Sequence, residues 1–438
     1  MQVDKTTLND LAIFSHEEEQ SVLHHLDFTR TVGGREWLKV LLGKPLGSIK
    51  EINNTQQLLQ RVMAIHAEWP ETISNGTVMV LEKFYDTPID EMAQHANTLN
   101  ALTYKALHGP DYSLVKYSVT HFSDFVRGLH TLETLLRNAG NPATLQVMGQ
   151  RISMLLNKPE LQAIITSQKS QLVTPAEILQ RGYFFRRRFK DECFELIDLY
   201  CRLDAYYSMA TACLKFGYTF PHFVESEQPQ FSASQLRHPL LKTPVACDLT
   251  LTPQQNFLFL TGANMAGKST FIKAAGLTAY LAHIGMGVPA KKVTLTYFDG
   301  LLSNIQVVDN IIQGESYFFN EVQRIRKTIE KISDGKKWLI LIDELFKGTN
   351  VQDAMKCSST VIEGLLKMNN VLFVLSTHLY EIGEALKVFP NIQFRYFETE
   401  VKNGQLLFSY QLKEGVSNDR LGYLILKREG VVDMLEKL

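Results

Sequence analysis

The octapeptide Gly262-Ala-Asn-Met-Ala-Gly-Lys268-Ser269 constrains the fold of this chain more than any other stretch. It satisfies the pattern G-x-x-x-x-G-K-[ST] without departure. The apolar run Asn256-Phe-Leu-Phe-Leu260 before it reads as a buried strand, and the residues from Thr270 onward read as a helix. A glycine-rich turn between strand and helix points backbone N–H groups outward, and the helix N-terminus favours negative charge. The spacing therefore predicts a phosphate cradle made by Gly262, Ala263, Asn264, Met265, Ala266, Gly267, Lys268, Ser269 and Thr270. Lys268 is expected to reach the β and γ phosphates of ATP, and the Ser269 hydroxyl to hold Mg2+. A plain glycine turn at a strand end is the competing reading; the flanking strand and helix argue against it.

Two more continuous apolar runs, Trp338-Leu-Ile-Leu-Ile342 and Val371-Leu-Phe-Val-Leu375, suit strands buried on both faces. The first ends in Asp343-Glu344 and the second in Ser376-Thr-His378. Asp343 suits Mg2+, directly or through water, and Glu344 suits orienting or deprotonating an attacking water. His378 is placed to contact the γ phosphate or that water. Parallel sheets bind ligands at the C-terminal ends of their strands, so three such ends carrying polar candidates reinforce one another. Helical stretches between the strands complete an α/β P-loop layer structure, ABC-type and mainly parallel.

Between the first two motifs lies Asp309-Asn-Ile-Ile-Gln-Gly314-Glu315-Ser316. In ABC-type ATPases a signature segment occupies this place, and its serine approaches the γ phosphate held by another subunit. Ser316 is expected to act in trans in a homodimer; an ordinary helix cap is the other reading.

Residues 1–228 read as almost wholly helical, with apolar positions such as Phe122, Phe125, Val126 and Leu129 at helical spacing. One long helix is expected between Thr174 and Gly217, started by the Thr174 cap with Pro175 in its first turn. Prolines 221, 229, 239 and 244 then end the helical texture, which sets a boundary near residue 228 and an ATPase domain over 229–438. The stretch Arg181-Gly-Tyr-Phe-Phe-Arg186-Arg187-Arg188 alternates cations with aromatics, as nucleic-acid surfaces do. It equally describes a helix with aromatics in the core, arginines in water, and Asp191, Glu192 and Glu195 as their partners.

The chain has 438 residues, a formal net charge of -1 and 45% hydrophobic residues, an ordinary globular composition. Any DNA contact must come from a local basic surface. The five cysteines form no CxxC pair and suit a reducing compartment, the N-terminus does not read as a signal peptide, and no apolar run suits a membrane span. A cytoplasmic protein is expected.

Together these residues resemble the MutS family of mismatch-repair ATPases. The loop variant with Asn264 and Met265 is similar to that family's, as are Arg237-His-Pro239 upstream, Gly285 through Val288-Pro-Ala290 downstream, and Gly348-Thr349 after the paired acids. Phe408-Ser-Tyr410-Gln-Leu412 resembles the family's last strand, and Leu203-Asp204-Ala205 its lever helix. The resemblance implies an ATP- and Mg2+-dependent, homodimeric, DNA-binding ATPase acting in mismatch repair or on recombining and branched DNA. Phe346-Lys347 stands where the family usually has Gly-Arg. The chain is expected to lack the mismatch-reading N-terminal domain and the C-terminal dimerisation tail. That keeps open an ABC-type ATPase acting on a protein or RNA partner, for example on the ribosome. Neither Pro244 nor the turn 402–404, which fall near the family's base-stacking positions, offers an aromatic ring or a histidine.

Overall fold

The computed structural model describes residues 1–438 except 139, 169–172, 306–316, 403–404, 418–425, 427–429 and 436–438. In chain order the elements begin with β1 (Gln2–Val3), α1 (Lys5–Asp10), α2 (Val22–Leu26), α3 (Val32–Leu42), α4 (Ile49–Ala64) and α5 (Asn75–Asp86). There follow α6 (Thr98–Leu107), α7 (Gly109–Leu136), α8 (Ala143–Leu156), α9 (Pro159–Thr166), α10 (Pro175–Arg188) and α11 (Lys190–Phe216). The strands β2 (His222–Phe223), β3 (Phe231–Leu236), β4 (Cys247–Leu251) and β5 (Phe257–Thr261) lead to α12 (Lys268–Ile284). Then come β6 (Lys292–Leu295), β7 (Gly300–Asn304), α13 (Tyr317–Ile332), β8 (Trp338–Asp343), α14 (Val351–Leu365) and β9 (Val371–Ser376). The set closes with α15 (Glu381–Leu386), β10 (Ile392–Lys402) and β11 (Gln405–Glu414), before a short helix at Val431–Leu435.

Contacts divide these elements into two compact units. The α/β unit gathers Met1–His25, Lys44–Asn53 and Phe216–Leu438, and the helical unit gathers Leu26–Gly43 and Asn54–Lys215. The sequence suggests one boundary near residue 228; the contacts place two earlier segments with the later residues as well.

The α/β unit is built on a seven-stranded sheet in the order β1-β7-β8-β9-β5-β10-β11. All neighbours are parallel except the β10–β11 hairpin. The three expected apolar strands are present, each one residue longer at its C-terminal end than the apolar run alone suggests. They are buried on both faces, which is why their sequences do not alternate. Phe257, Phe259, Trp338, Ile340, Ile342, Phe373 and Leu375 point to one face and form a core with Ile325 and Ile332 of α13 and Ile362 and Leu365 of α14. On the other face α12 lies so close that a Cβ on Gly276 would sit 2.5 Å from a Leu341 methyl. A second sheet runs β2-β6-β3-β4.

The N-terminal residues, expected to be helical, instead open with a strand: β1 pairs in parallel with β7, Gln2 opposite Gly300. Asp10 at the end of α1 is 2% exposed and accepts from the Ile305 N–H at 3.0 Å and the Arg324 guanidinium at 3.2 Å.

In the helical unit α7 is the central element, with Phe122, Phe125, Val126 and Leu129 fully buried as their spacing predicts. Thr174 caps α10 through a reciprocal box with Glu177. The single long helix expected from Thr174 to Gly217 is broken at Phe189, giving α10 and α11. Phe189 leaves helical geometry (φ -133°) and buries its ring against Phe184. That packing overrides a run of good helix formers. Asp204, fully buried on α11, accepts from the Arg30 and Thr31 backbone N–H groups and the Thr31 hydroxyl, and so fixes the entry to α3.

Candidate nucleotide site

β5 delivers the loop residues from the middle of the sheet. Gly262 (φ 138°) and Gly267 (φ 107°) occupy backbone conformations that side chains avoid. A Cβ on Gly262 would also sit 3.2 Å from the Phe397 carbonyl of β10. Met265 adopts φ 67° and is 69% exposed at the loop's tip. α12 begins at Lys268, so the orphan N–H groups of its first turn open onto the loop. Lys268 itself is buried, and its ammonium donates to the Gly262 carbonyl at 2.8 Å and the Ala263 carbonyl at 2.9 Å. Burial lowers its pKa, and the carboxylates of Glu344 and Asp343 oppose that shift.

The sheet order sets β8, β9 and β5 side by side, which brings the acids and the loop to one edge. Asp343 and Ser376 are opposite one another in the β8–β9 ladder, and the Ser376 hydroxyl donates to the Asp343 carboxylate. Glu344 follows in a left-handed conformation (φ 62°), and its N–H donates to the Ser376 carbonyl at 3.0 Å. Its carboxylate meets His378 Nε2 at 2.7 Å and Lys347 Nζ at 3.0 Å. Burial alone would raise the Glu344 pKa; the His378 hydrogen bond and the two cations hold it down at about 2. Lys347 loses solvent too, yet Glu344 and Asp343 raise its pKa.

A cavity of about 490 Å³ opens beside the loop, lined by Asn264, Met265, Gly267, Lys268, Ser269 and Thr270 and reached by Glu344. Its lining also holds residues that the sequence motifs do not assign to the site. His238, Tyr410, Phe397 and Cys247 stand there. Tyr410 has φ 54° and is 42% exposed. Burial drops the His238 pKa to about 4, with Lys273 and His25 adding to the shift. His238 was visible within Arg237-His-Pro239 and Tyr410 within the last strand, but only the adjacency of β10 to β5 brings an aromatic wall to the loop. Of the expected set, the structure gathers Gly262 to Thr270, Asp343, Glu344 and His378; Ser316 lies outside the described residues.

The residues fit a nucleotide with a divalent cation. The positive φ angles of Gly262 and Gly267 wrap the loop around the start of α12, Ser269 lines the cavity, and Asp343 sits one residue from Glu344 at the same strand end.

The basic stretch on α10 divides. Arg186 donates to the Phe84 carbonyl and, at 2.7 Å, to the Thr87 carbonyl, with its guanidinium over the Phe84 ring. Arg181 is half-buried, whereas Arg187 and Arg188 are exposed. Two of the three acids expected to pair with these arginines are engaged elsewhere: Glu192 with Lys158 at 2.7 Å and Glu195 with Arg151 at 2.5 Å. The break at Phe189 is the reason, because it ends the helical register between the two groups. Among the described residues no helix is long and apolar enough to cross a membrane.

Residues 258–434 match the family model of MutS domain V. The DNA mismatch repair protein MutS of Thermotoga maritima is 29% identical over 252 residues, 56% of this chain and 31% of that protein. The MutS of Ehrlichia chaffeensis is 30% identical over 243 residues, 54% and 30% of the two chains. That of Oceanobacillus iheyensis is 30% identical over 242 residues, 53% and 27%. The matched region thus spans about a third of the length of these curated relatives.

Proposed function

We propose that this chain, whose residues 258–434 match MutS domain V, is a MutS-family, Mg2+-dependent ATPase coupling hydrolysis to DNA binding. One observation carries the reading: a single cavity joins the glycine loop, Lys268, Ser269 and Glu344. Lys268 would trade the Gly262 and Ala263 carbonyls for phosphate oxygens, a stronger, charge-assisted pairing. Ser269 and Asp343 would hold Mg2+, which supplies charge neutralisation of the phosphates. Ser376 occupies one Asp343 oxygen and so turns the carboxylate. Glu344 would orient the attacking water. A carboxylate held at about 2 is a weak base, so orientation outweighs prior proton removal until anionic phosphates lift its pKa. His378 steadies the other side of Glu344. Tyr410 and His238 would flank the base.

The finer reading is a homodimer with composite sites, Ser316 of each subunit completing the site of the other, acting in mismatch repair or on recombining and branched DNA. A second reading, an ABC-type ATPase working on a protein or RNA partner, draws support from Arg186, whose donors are engaged within the helical unit.

The Lys268→Ala variant tests the site. ATP turnover should be lost, since the phosphates lose their main side-chain cation, while far-ultraviolet circular dichroism stays that of the parent. Undiminished turnover would remove the assignment of the loop.

A further inference from the structure

The catalytic turn after β8 is held in an unfavourable shape. Glu344 (φ 62°) and Phe346 (φ 60°) both lie in the left-handed region, and neither is glycine. Such residues persist only where their surroundings determine them. β9 holds the first residue of the turn through the Ser376 carbonyl, and one helix holds the rest. Glu321, one turn into α13, is 5% exposed, and its carboxylate accepts from the Lys347 N–H and the Gly348 N–H, each at 3.1 Å. The ring of Phe318 packs on that of Phe346 with centroids 5.8 Å apart. Gly348 fits against the start of α13 so closely that a Cβ there would lie 2.7 Å from Tyr317 and 2.8 Å from the Phe318 nitrogen. A carboxylate, a ring pair and a close backbone approach therefore tie the same five-residue turn, 344–348, to the same helix end.

We infer that Glu321 is a positioning residue for ATP hydrolysis: its carboxylate latches the turn 344–348 to α13 and so sets where Glu344 stands. The inference rests on the ATPase reading above, and it adds a residue outside the nucleotide cavity to the hydrolytic machinery. Glu321 does not line the nucleotide cavity. It acts on Glu344 through the backbone of Lys347 and Gly348, and α13 is the element whose displacement Glu344 would follow. A buried carboxylate is costly to keep in place, and two backbone donors satisfy it here without a cationic partner of its own being required. The sequence marks no such role: Glu321 lies in an amphipathic helix, 23 residues ahead of Glu344, and reads as an ordinary helical acid.

Glu321→Ala and Glu321→Gln test the latch with three readouts: amide hydrogen exchange at Lys347 and Gly348, ADP affinity by a fluorescent analogue, and kcat for ATP. In Glu321→Ala the two amides should lose protection and kcat should fall roughly tenfold to a hundredfold, as a misplaced catalytic group does. ADP affinity should stay within about twofold of the parent, because the loop is untouched. Glu321→Gln keeps one acceptor and turns an amide donor toward the other N–H, so it should fall between; it also serves should the alanine variant not fold. Unchanged protection, or lost protection with an unchanged kcat, overturns the latch. An equal loss of ADP affinity and kcat also overturns it, as a general structural role. A parent chain that binds ATP without hydrolysing it would sink the ATPase reading, and with it the catalytic part of this inference, while the exchange readout still decides whether the bonds exist.

Discussion

Glu344 meets two partners at once, His378 at 2.7 Å and Lys347 at 3.0 Å, and that sharing sets what a substitution there should do. Glu344→Gln keeps the shape of the side chain and removes the charge. Nucleotide affinity should hold or rise, because an anion leaves the neighbourhood of the phosphates. Phosphate release should slow by roughly a hundredfold or more, the usual contribution of a positioned acid–base group. Binding of a fluorescent ATP analogue beside a phosphate-release assay separates the two; loss of binding would assign Glu344 to the metal or the fold instead. Local spacing marks Lys268 and Ser269 as the start of α12, and places Asp343, Glu344 and His378 at or just past the ends of strands that announce themselves as apolar runs. Lys347 as a partner of Glu344 was not, because it depends on the left-handed turn between them. Tyr410 was not legible as a cavity residue, because it lies on β11 and nothing local tells that its hairpin partner β10 lies beside β5.

At the scale of elements, α12 carries a buried titratable group. His283 is fully buried one residue before the helix ends; its Nδ1 pairs with the Ala279 carbonyl at 2.7 Å and its Nε2 accepts from the Phe298 N–H at 2.9 Å. Those partners require the neutral ring with the proton on Nδ1. Burial lowers its pKa from 6.5 to about 3, with the Ala279 bond opposing. The folded state therefore binds fewer protons than the unfolded chain between about pH 3 and 6.5. Stability from this group is complete above pH 6.5 and declines as the pH falls through that window. Thermal unfolding of the parent should shift downward on acidification from pH 7 to 5, and His283→Gln should show a shallower dependence, with His238 and His66, whose pKa values burial also lowers, still contributing in the same direction. An identical slope in the variant would mean that His283 does not titrate on unfolding. Element types in the sheet were readable because burial on both faces leaves an unbroken apolar signature. The break of the long helix at Phe189 was not, since it is imposed by ring packing and not by any proline or glycine. β1 is too short to show a period at all.

For the whole molecule, the distribution of charge bears on the kind of partner it can hold. The near-neutral total charge gives no general affinity for nucleic acid, so a contact must be local. Arg187 and Arg188 are exposed, while Arg186 is engaged by carbonyl oxygens. If the helical unit meets DNA through this stretch, Arg187→Ala with Arg188→Ala should reduce the slope of log affinity against log salt by about two, one for each phosphate contact, and leave basal ATP turnover alone. Duplex, mismatched and four-way DNA retained on the protein at several salt concentrations measure it. An unchanged slope would clear this surface of DNA and favour a protein or RNA partner. The division of the chain into two units was only partly legible: the prolines set a boundary near residue 228, past the return at Phe216, and the placing of Met1–His25 and Lys44–Asn53 depends on contacts across hundreds of residues.

Those distant contacts bear on the order in which the molecule assembles. β7 is buried along its whole length, and one of its flanks is covered by residues that arrive from far away in the sequence: the Ser303 N–H meets the Thr7 hydroxyl across 296 positions. Closing so long a loop costs conformational entropy before any contact repays it. In an assembling chain β7 is thus an apolar sheet margin waiting for its neighbour, a shape that other copies can pair with as readily as β1 does. Dilution and time, more than any gain in final stability, decide how much of such a chain reaches its native form.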